Sequence, residues 1–239
     1  MSAGDIWSKA DLHIHSDHSD GLGKIPEIME YVKNRTDLRV IAITDHNTIE
    51  GALFAKSLSE LYDFEVVIGE EVSSKSGHIL GLFLKEDVPA GMTASDTIRS
   101  IEAQGGVAVI AHPFANRAFG PFGLNSVGSA MNDLGFKALE VYNSSPYLVY
   151  ANRLAAKTFA GGQGIAATGG SDAHVCQAIG NGYTLFRGTS ADDLRASIDN
   201  LETRAEAARG GLSVALRYAL RYPQIRRMQS WNWERCKAK

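Results

Sequence analysis

Short runs rich in Val, Ile and Leu alternate with amphipathic stretches along most of the chain. This alternation limits the fold more than any other feature. The runs fall at 10–14 (ADLHI), 39–44 (RVIAIT), 65–69 (EVVIG), 107–111 (VAVIA), 137–142 (KALEVY), 164–168 (GIAAT) and 182–186 (GYTLF), which gives seven candidate strands. Helix-like segments at 25–34, 48–62, 94–104, 146–159 and 191–201 lie between them. Thr48 opens one of these, and Ser190 opens another with Asp192 and Asp193 in its first turn. Strand–helix alternation predicts a parallel sheet, and 239 residues suit a closed α/β barrel of seven or eight units, for which about 250 residues is usual. An eighth apolar run, 78–84 (HILGLFL), follows the third strand across SSKSG and reads as a hairpin return at the barrel mouth.

Composition closes off several classes of function. Hydrophobic residues make up 44% and charged residues 21%, as in an ordinary globular chain, so disorder is excluded. No apolar run reaches the ~18–20 residues needed to span a bilayer. The start MSAGDIWSKADLHIH has no secretory pattern, and Cys176 and Cys236 form no disulfide framework, so a cytoplasmic location is expected. Residues 204–239 carry nine Lys and Arg against two Glu, a charge of +7, which leaves −10 on residues 1–203. An acidic body disfavours a nucleic-acid partner. Gly161, Gly162 and Gly164 do not follow a strand, so they read as a helix-to-strand connection and not as a phosphate-cradling loop.

The histidines are placed with a bias that packing does not explain. Six of seven (His13, His15, His46, His78, His112 and His174) lie at the end of an expected strand, just after it, or at the start of the hairpin return. In a parallel barrel the strand C-termini open onto one face, and that face carries the chemistry. His13 and His15 are two apart on a strand and project to the same side. Asp20 sits in a turn (SDG) that either caps locally or returns a carboxylate to the site. In TDHN, adjacent residues point to opposite faces. His46 is therefore the candidate ligand, and Asp45 a supporting group, a proton carrier or a helix cap. Glu70 and Glu71 end the third run, and Asp172 and His174 are again two apart. Six imidazoles and three carboxylates exceed what one tetrahedral ion needs and suit two or three ions, with Zn²⁺, Mn²⁺ or Fe²⁺ favoured over Ca²⁺ or Mg²⁺.

The motifs DLHIHSDHSDG (11–21), AITDHNT (42–48), GEEVSSKSGHILGL (69–82), AHP (111–113), ALEVYN (138–143) and GGSDAH (169–174) together resemble the PHP (polymerase and histidinol phosphatase) family of metal-dependent phosphoesterases. The resemblance implies a distorted seven-stranded TIM-like barrel with a trinuclear centre at the strand C-termini. By motif position the first ion takes His13, His15, Glu71 and Asp172. The second shares Glu71 and adds His78 and His112, and the third takes Asp20, His46 and His174. The family's G-x-E-x-S pattern selects Glu71 over Glu70, and His18 is left over. The implied activity is hydrolysis of a phosphomonoester or phosphodiester by a metal-activated hydroxide. The substrate is a small phosphorylated molecule such as a nucleotide, an oligonucleotide end or histidinol phosphate. Only 33 residues separate His78 from His112, too few for the helical insertion of members acting on nucleoside 5′-monophosphates or 3′,5′-bisphosphates. Asp45 is a candidate for leaving-group protonation. Arg117, soon after AHP, is a candidate phosphate clamp, and Lys75 is unassigned.

Two other readings compete with this one. An amidohydrolase-type enzyme also places HxH on the first barrel strand, but it holds one or two metals. A non-catalytic module would use metal only for folding or docking. The domain expectation is a barrel over 1–203 and a basic, helical tail over 204–239. In that tail 212–222 has helical periodicity and Pro223, Trp231 and Trp233 follow, packing on or extending the barrel.

Overall fold

The computed structural model describes residues 6–115, 127, 134–146, 148–161 and 164–208. Arg117, Cys236, the 212–222 segment, Trp231 and Trp233 lie outside the described residues. Nine strands form one sheet: β1 (Trp7–Ile14), β2 (Leu38–Ile43), β3 (Glu65–Ser74), β4 (Gly77–Leu82), β5 (Val107–Ile110), β6 (Ala138–Asn143), β7 (Ala166–Gly170), β8 (Gly182–Arg187) and β9 (Arg204–Ala207). Their order is β7-β6-β5-β4-β3-β2-β1-β8-β9. The helices are α1 (Ile25–Arg35), α2 (Glu50–Leu58, running into a 3-10 turn at Ser59–Leu61), α3 (Ala94–Ala103), α4 (Val149–Gly161) and α5 (Ala191–Asp199).

The expected α/β barrel is present, but it is mixed and nine-stranded, not parallel and seven-stranded. Two connections explain the difference. Ser74 and Gly77 pair directly across a two-residue turn, so β4 runs antiparallel to β3. Between β7 and β8 the chain holds only a 3-10 turn, Cys176–Ala178. No helix carries it back to the far end, so β8 starts at the mouth and runs antiparallel to β1. Arg204–Ala207, at the start of the expected helical tail, pair with β8 as the ninth strand. The ring nearly closes between β1 and β7. There the Ala173 amide donates to His13 O (3.3 Å), and the His15 amide donates to Ala173 O (2.9 Å).

The helices form where the apolar spacing places them. Ile25, Ile28, Met29 and Val32 make the buried stripe of α1. Ser190 caps α5, accepting from the Asp193 amide, while Asp193 accepts from the Ser190 amide. Thr48 accepts from the Glu50 amide just before α2. Inside the barrel, Ala10, Leu12, Val40, Ala42, Val67, Leu80, Leu82, Val107, Val109 and Phe186 pack together, with Leu194 and Ile198 of α5 against them. Outside, Ile41 and Ile43 pack with α1 and α2, and Ile79 and Ile110 with α3 and α4. Among the described residues no helix is long and apolar enough to cross a membrane.

Candidate metal centre

Every strand from β1 to β7 brings polar side chains to one mouth of the barrel. β1 does so through a bulge. Asp11 pairs with Ile41 and Ile14 with Ile43, three steps against two, which re-aims the side chains that follow. His13 and His15 both turn into the mouth, as HxH spacing predicts. The next residues fold back tightly, with Ser19 N and Gly21 N both donating to Ser16 O. A β-carbon on Gly21 would lie 2.3 Å from His15 O, so only glycine fits, and the turn carries Asp20 inward. His46 follows β2 and bridges to Glu71 on β3. His78 begins β4 and reaches the same mouth because that strand is reversed. His112 follows β5, and Asp172 and His174 follow β7. His112 (φ 25°) and Asp172 (φ 52°) both occupy the left-handed region, which non-glycine residues rarely adopt and which concentrates at functional sites.

All nine expected ligands converge. Four overlapping sets have donor atoms within 4.8 Å of one another: His15, Asp20, His46 and His174; His13, His15 and Glu71; His13, His112 and Asp172; His46, Glu71 and His78. Glu71 is the hub. Its Oε1 lies 2.8 Å from His78 Nδ1 and 2.9 Å from His112 Nε2. Its Oε2 lies 3.3 Å from each of His13 Nε2, His15 Nε2 and His46 Nδ1. Asp172 Oδ1 stands 3.3 Å from His15 Nε2 and 3.6 Å from His13 Nε2. Asp20 Oδ2 is 3.0 Å from His174 Nε2 and 3.7 Å from His46 Nε2. Separations near 3.3 Å are long for a charged hydrogen bond. They suit two ligands that each stand about 2.0–2.2 Å from a shared ion.

The donor chemistry fits divalent cations. Six buried ring nitrogens (His13 Nε2, His15 Nδ1 and Nε2, His46 Nδ1, His78 Nδ1 and His112 Nδ1) have no hydrogen-bond partner among the described residues. Five of the six stand 2.8–3.3 Å from a carboxylate of the same cluster, and a cation among them would satisfy the nitrogen lone pairs that no hydrogen bond takes up. The electrostatics agree. Burial works against ionisation, yet the His174, His46 and His15 imidazoles hold the Asp20 carboxyl well below the usual carboxylate range. Glu71 is held low against burial by His78, His46 and His13, and Asp172 by His13 and its neighbours. Burial opposes charge on His15 too, but Asp20, Asp172 and Glu71 lift it to about 10. His46 goes the other way, to about 4, because burial outweighs the carboxylates near it. The mouth is thus an acidic pocket that draws positive charge inward.

The remaining candidates separate cleanly. Asp45 faces away from the cluster, as its alternation with His46 predicts. It neither caps α2 nor joins any ligand set, and its carboxylate accepts from Ser16 N (2.7 Å), Ser16 Oγ (2.6 Å) and Ser19 Oγ (2.6 Å). Those bonds hold the turn that carries Asp20. Burial pushes the Asp45 carboxyl upward. Glu70 lies on the outer face of β3, accepts from Val88 N (2.8 Å), and is raised to about 8 by burial, with Asp87 adding to it. His18 is exposed, 3.8 Å from Glu50, and Lys75 is exposed at the β3–β4 turn.

Three residues escaped the sequence analysis. Asp11 accepts from His13 N (3.3 Å), Ser171 N (2.9 Å) and Gly180 N (2.8 Å), tying β1 to the segment after β7 across the seam of the barrel. Glu140 Oε1 accepts from His13 Nδ1 (2.9 Å), and Glu140 Oε2 accepts from His112 N (2.7 Å). Asn143 Nδ2 donates to Glu140 Oε2 (3.0 Å) and Asp172 Oδ2 (3.3 Å). Asp11, Glu140 and Asn143 all lie inside quoted motifs, and a buried polar residue in an apolar strand was the signal available for them.

Comparison with known proteins agrees with this architecture. Residues 149–203 match the PHP-associated family (PHP_C). An uncharacterized protein of Methanocaldococcus jannaschii is 39% identical over 147 residues, 57% of this chain and 82% of the relative. The phosphoribosyl 1,2-cyclic phosphate 1,2-diphosphodiesterase of Eggerthella lenta is 38% identical over 86 residues, which cover 34% of this chain and only 32% of that enzyme. Among solved structures, a two-domain protein of Bacteroides vulgatus containing a predicted PHP-like metal-dependent phosphoesterase superposes with a TM-score of 0.67 at 20% identity, over 89% of this chain and 68% of that one.

Proposed function

The chain belongs to the PHP family, and we propose that it is a phosphoesterase that hydrolyses a small phosphomonoester or phosphodiester at a centre of three divalent ions. The observation that carries this reading is the convergence, at one barrel mouth, of nine residues that offer nitrogen and oxygen donors, six of whose ring nitrogens form no hydrogen bond among the described residues. Glu71 supports a shared ligand because one oxygen faces His78 and His112 and the other faces His13, His15 and His46. His13, His15, Glu71 and Asp172 would hold one ion, Glu71, His78 and His112 a second, and Asp20, His46 and His174 a third. A nitrogen and oxygen donor set of this kind suits Mn²⁺, Zn²⁺ or Fe²⁺. Such ions supply Lewis acidity toward a phosphoryl oxygen and an activated water.

The chain's own groups define the rest of the chemistry. Carboxylates held ionised at Asp20, Glu71 and Asp172 make the pocket repel an anionic substrate unless cations are present. Catalysis is thereby tied to loading. Asp45 is bonded to two serines and an amide, so its part is to hold the Asp20 turn. Arg117, beyond the described residues, is proposed as the phosphate clamp. The diesterase name of the Eggerthella lenta relative supports including phosphodiesters among the substrates. The domain proposal keeps a basic segment after the barrel, with Arg204–Ala207 built into the sheet.

The test is a panel of phosphomonoesters and phosphodiesters offered to protein loaded in turn with Mn²⁺, Zn²⁺ and Fe²⁺. Metal-dependent release of phosphate or ring opening of a cyclic phosphate is the expected result. Lactone hydrolysis or hydrolytic deamination by one- or two-metal protein, with no phosphoester turnover, would favour an amidohydrolase instead.

A further inference from the structure

β6 gives no ligand to the cluster, yet its two inward polar residues hold three ligands that come from three other segments. Glu140 grips the ring of His13 through Nδ1 and the backbone of His112 through its amide. Asn143 spans from Glu140 to Asp172. His13, His112 and Asp172 are one of the four sets whose donor atoms already lie within 4.8 Å. Glu140 Oε1 accepts from His13 Nδ1, which leaves His13 Nε2 as the ring nitrogen that faces Glu71 and Asp172 and would take an ion. Glu140 and Asn143 are both almost wholly buried, so water does not compete for these bonds. The opposite flank differs. His46 and His78 are the most exposed of the six imidazoles, with side chains 18% and 10% accessible. Among the described residues, only the candidate ligands Asp20 and Glu71 approach their ring nitrogens as acidic partners.

We propose that Glu140 and Asn143 are the positioning residues of the centre: they preset the flank of His13, His112 and Asp172, so the ion taking His13 and Asp172 is bound first and most tightly, while the ions taking His78 and His46 are bound later and exchange more readily. The physical reason is preorganisation. Ligands already fixed in tautomer and direction lose little freedom when an ion arrives, whereas free imidazoles must be ordered by it. The inference rests on the metal-centre reading above and adds an order of loading and its cause.

The experiment is a Co²⁺ titration of the full chain, metal-stripped beforehand. Bound ion per chain is measured at buffered free Co²⁺ and the visible ligand-field spectrum is recorded at each step. Wild type should fill in resolved steps. Glu140→Gln should weaken the first step about 10- to 100-fold, the usual cost of losing such a partner, and alter the spectrum of the first-bound ion. Asn143→Ala should act on the same step to a smaller extent. His78→Ala should leave the first step at wild-type affinity and weaken a later one. Apo-protein melting curves, taken in parallel, should differ by only a few degrees between wild type and Asn143→Ala. That variant carries the test if Glu140→Gln does not fold. Equal weakening of every step, or an unchanged first step in both β6 variants, would overturn the proposal while leaving the metal centre intact. A wild-type chain that binds no Co²⁺ at any step would overturn both.

Discussion

Midway along the barrel the interior is filled by Leu12, Val40, Ala42, Val67, Leu80 and Val109. One to four residues further toward the mouth on the same strands, it is filled by His13, His46, Glu71 and His112. The first layer is closed by dispersion and the removal of apolar surface from water. The second has neither. It concentrates three ionised carboxylates and leaves six ring nitrogens with no hydrogen bond among the described residues. The apolar layer therefore supplies the stability that the mouth consumes, and the mouth becomes stabilising only when cations enter it. Strain leans the same way: of the five described non-glycine residues with positive φ, Asn47, His112 and Asp172 lie at or beside the mouth.

The sharpest way to break this contrast is to remove its hub. Glu71→Ala should lower phosphoester hydrolysis on the order of a thousandfold or more and reduce bound metal, as read by kinetics and elemental analysis. Its metal-free form should melt no lower than metal-free wild type. In the apolar layer the reverse is expected. Leu80, about 1% exposed, should on change to Ala cost about 2–5 kcal/mol in denaturant unfolding, with metal content per chain unchanged. Chelation separates the layers without a mutation. Stripping metal held at about 100 times its Kd should remove about 2.7 kcal/mol of stability from wild type and less from Glu71→Ala, which keeps the Asp20, His46 and His174 site. The smallest effect lies at the closed end, where Asp193 accepts from the Thr189 and Ser190 amides at the start of α5. Those amide bonds lower the Asp193 carboxyl below its ordinary value. Its contribution is then present above the usual carboxylate range and lost as pH falls through it. Asp193→Ala should cost about 1 kcal/mol at pH 7, and the gap should close toward pH 3 in melting experiments, with metal binding unaffected.

The candidate ligands were legible because most sit where a sequence pattern changes: an apolar run ends and a histidine or an acid follows, while His78 opens a run and Asp20 is carried by a turn. The alternation of strands and helices placed the five helices of the described residues within a few residues of where they lie. The direction of β8 was harder to read, yet its cause is local, since the eleven residues 171–181 hold no helix that could return the chain for another parallel strand. β9 was obscured because Arg204, Glu206 and their neighbours read as a charged tail, and only pairing with β8 makes them a strand. Glu140 was the largest omission. Within KALEVY it reads as the polar side of a strand, and nothing local announces that the His13 ring and the His112 amide, 127 and 28 residues away, both end on it. Asp11 was masked in the same way by its neighbours in DLHIH. Sequence pattern thus reveals groups that face a cavity, while the groups that orient them emerge only when distant segments meet.

The central claim is that the mouth is a multi-ion site and not a buried polar network. Anomalous diffraction at the manganese edge, on crystals equilibrated with Mn²⁺, tests it most directly. Three peaks are predicted, each within coordinating reach of the nine residues, with Glu71 touching more than one. Crystals that take up Mn²⁺ elsewhere, or none, while the imidazoles keep their present spacing, would contradict it.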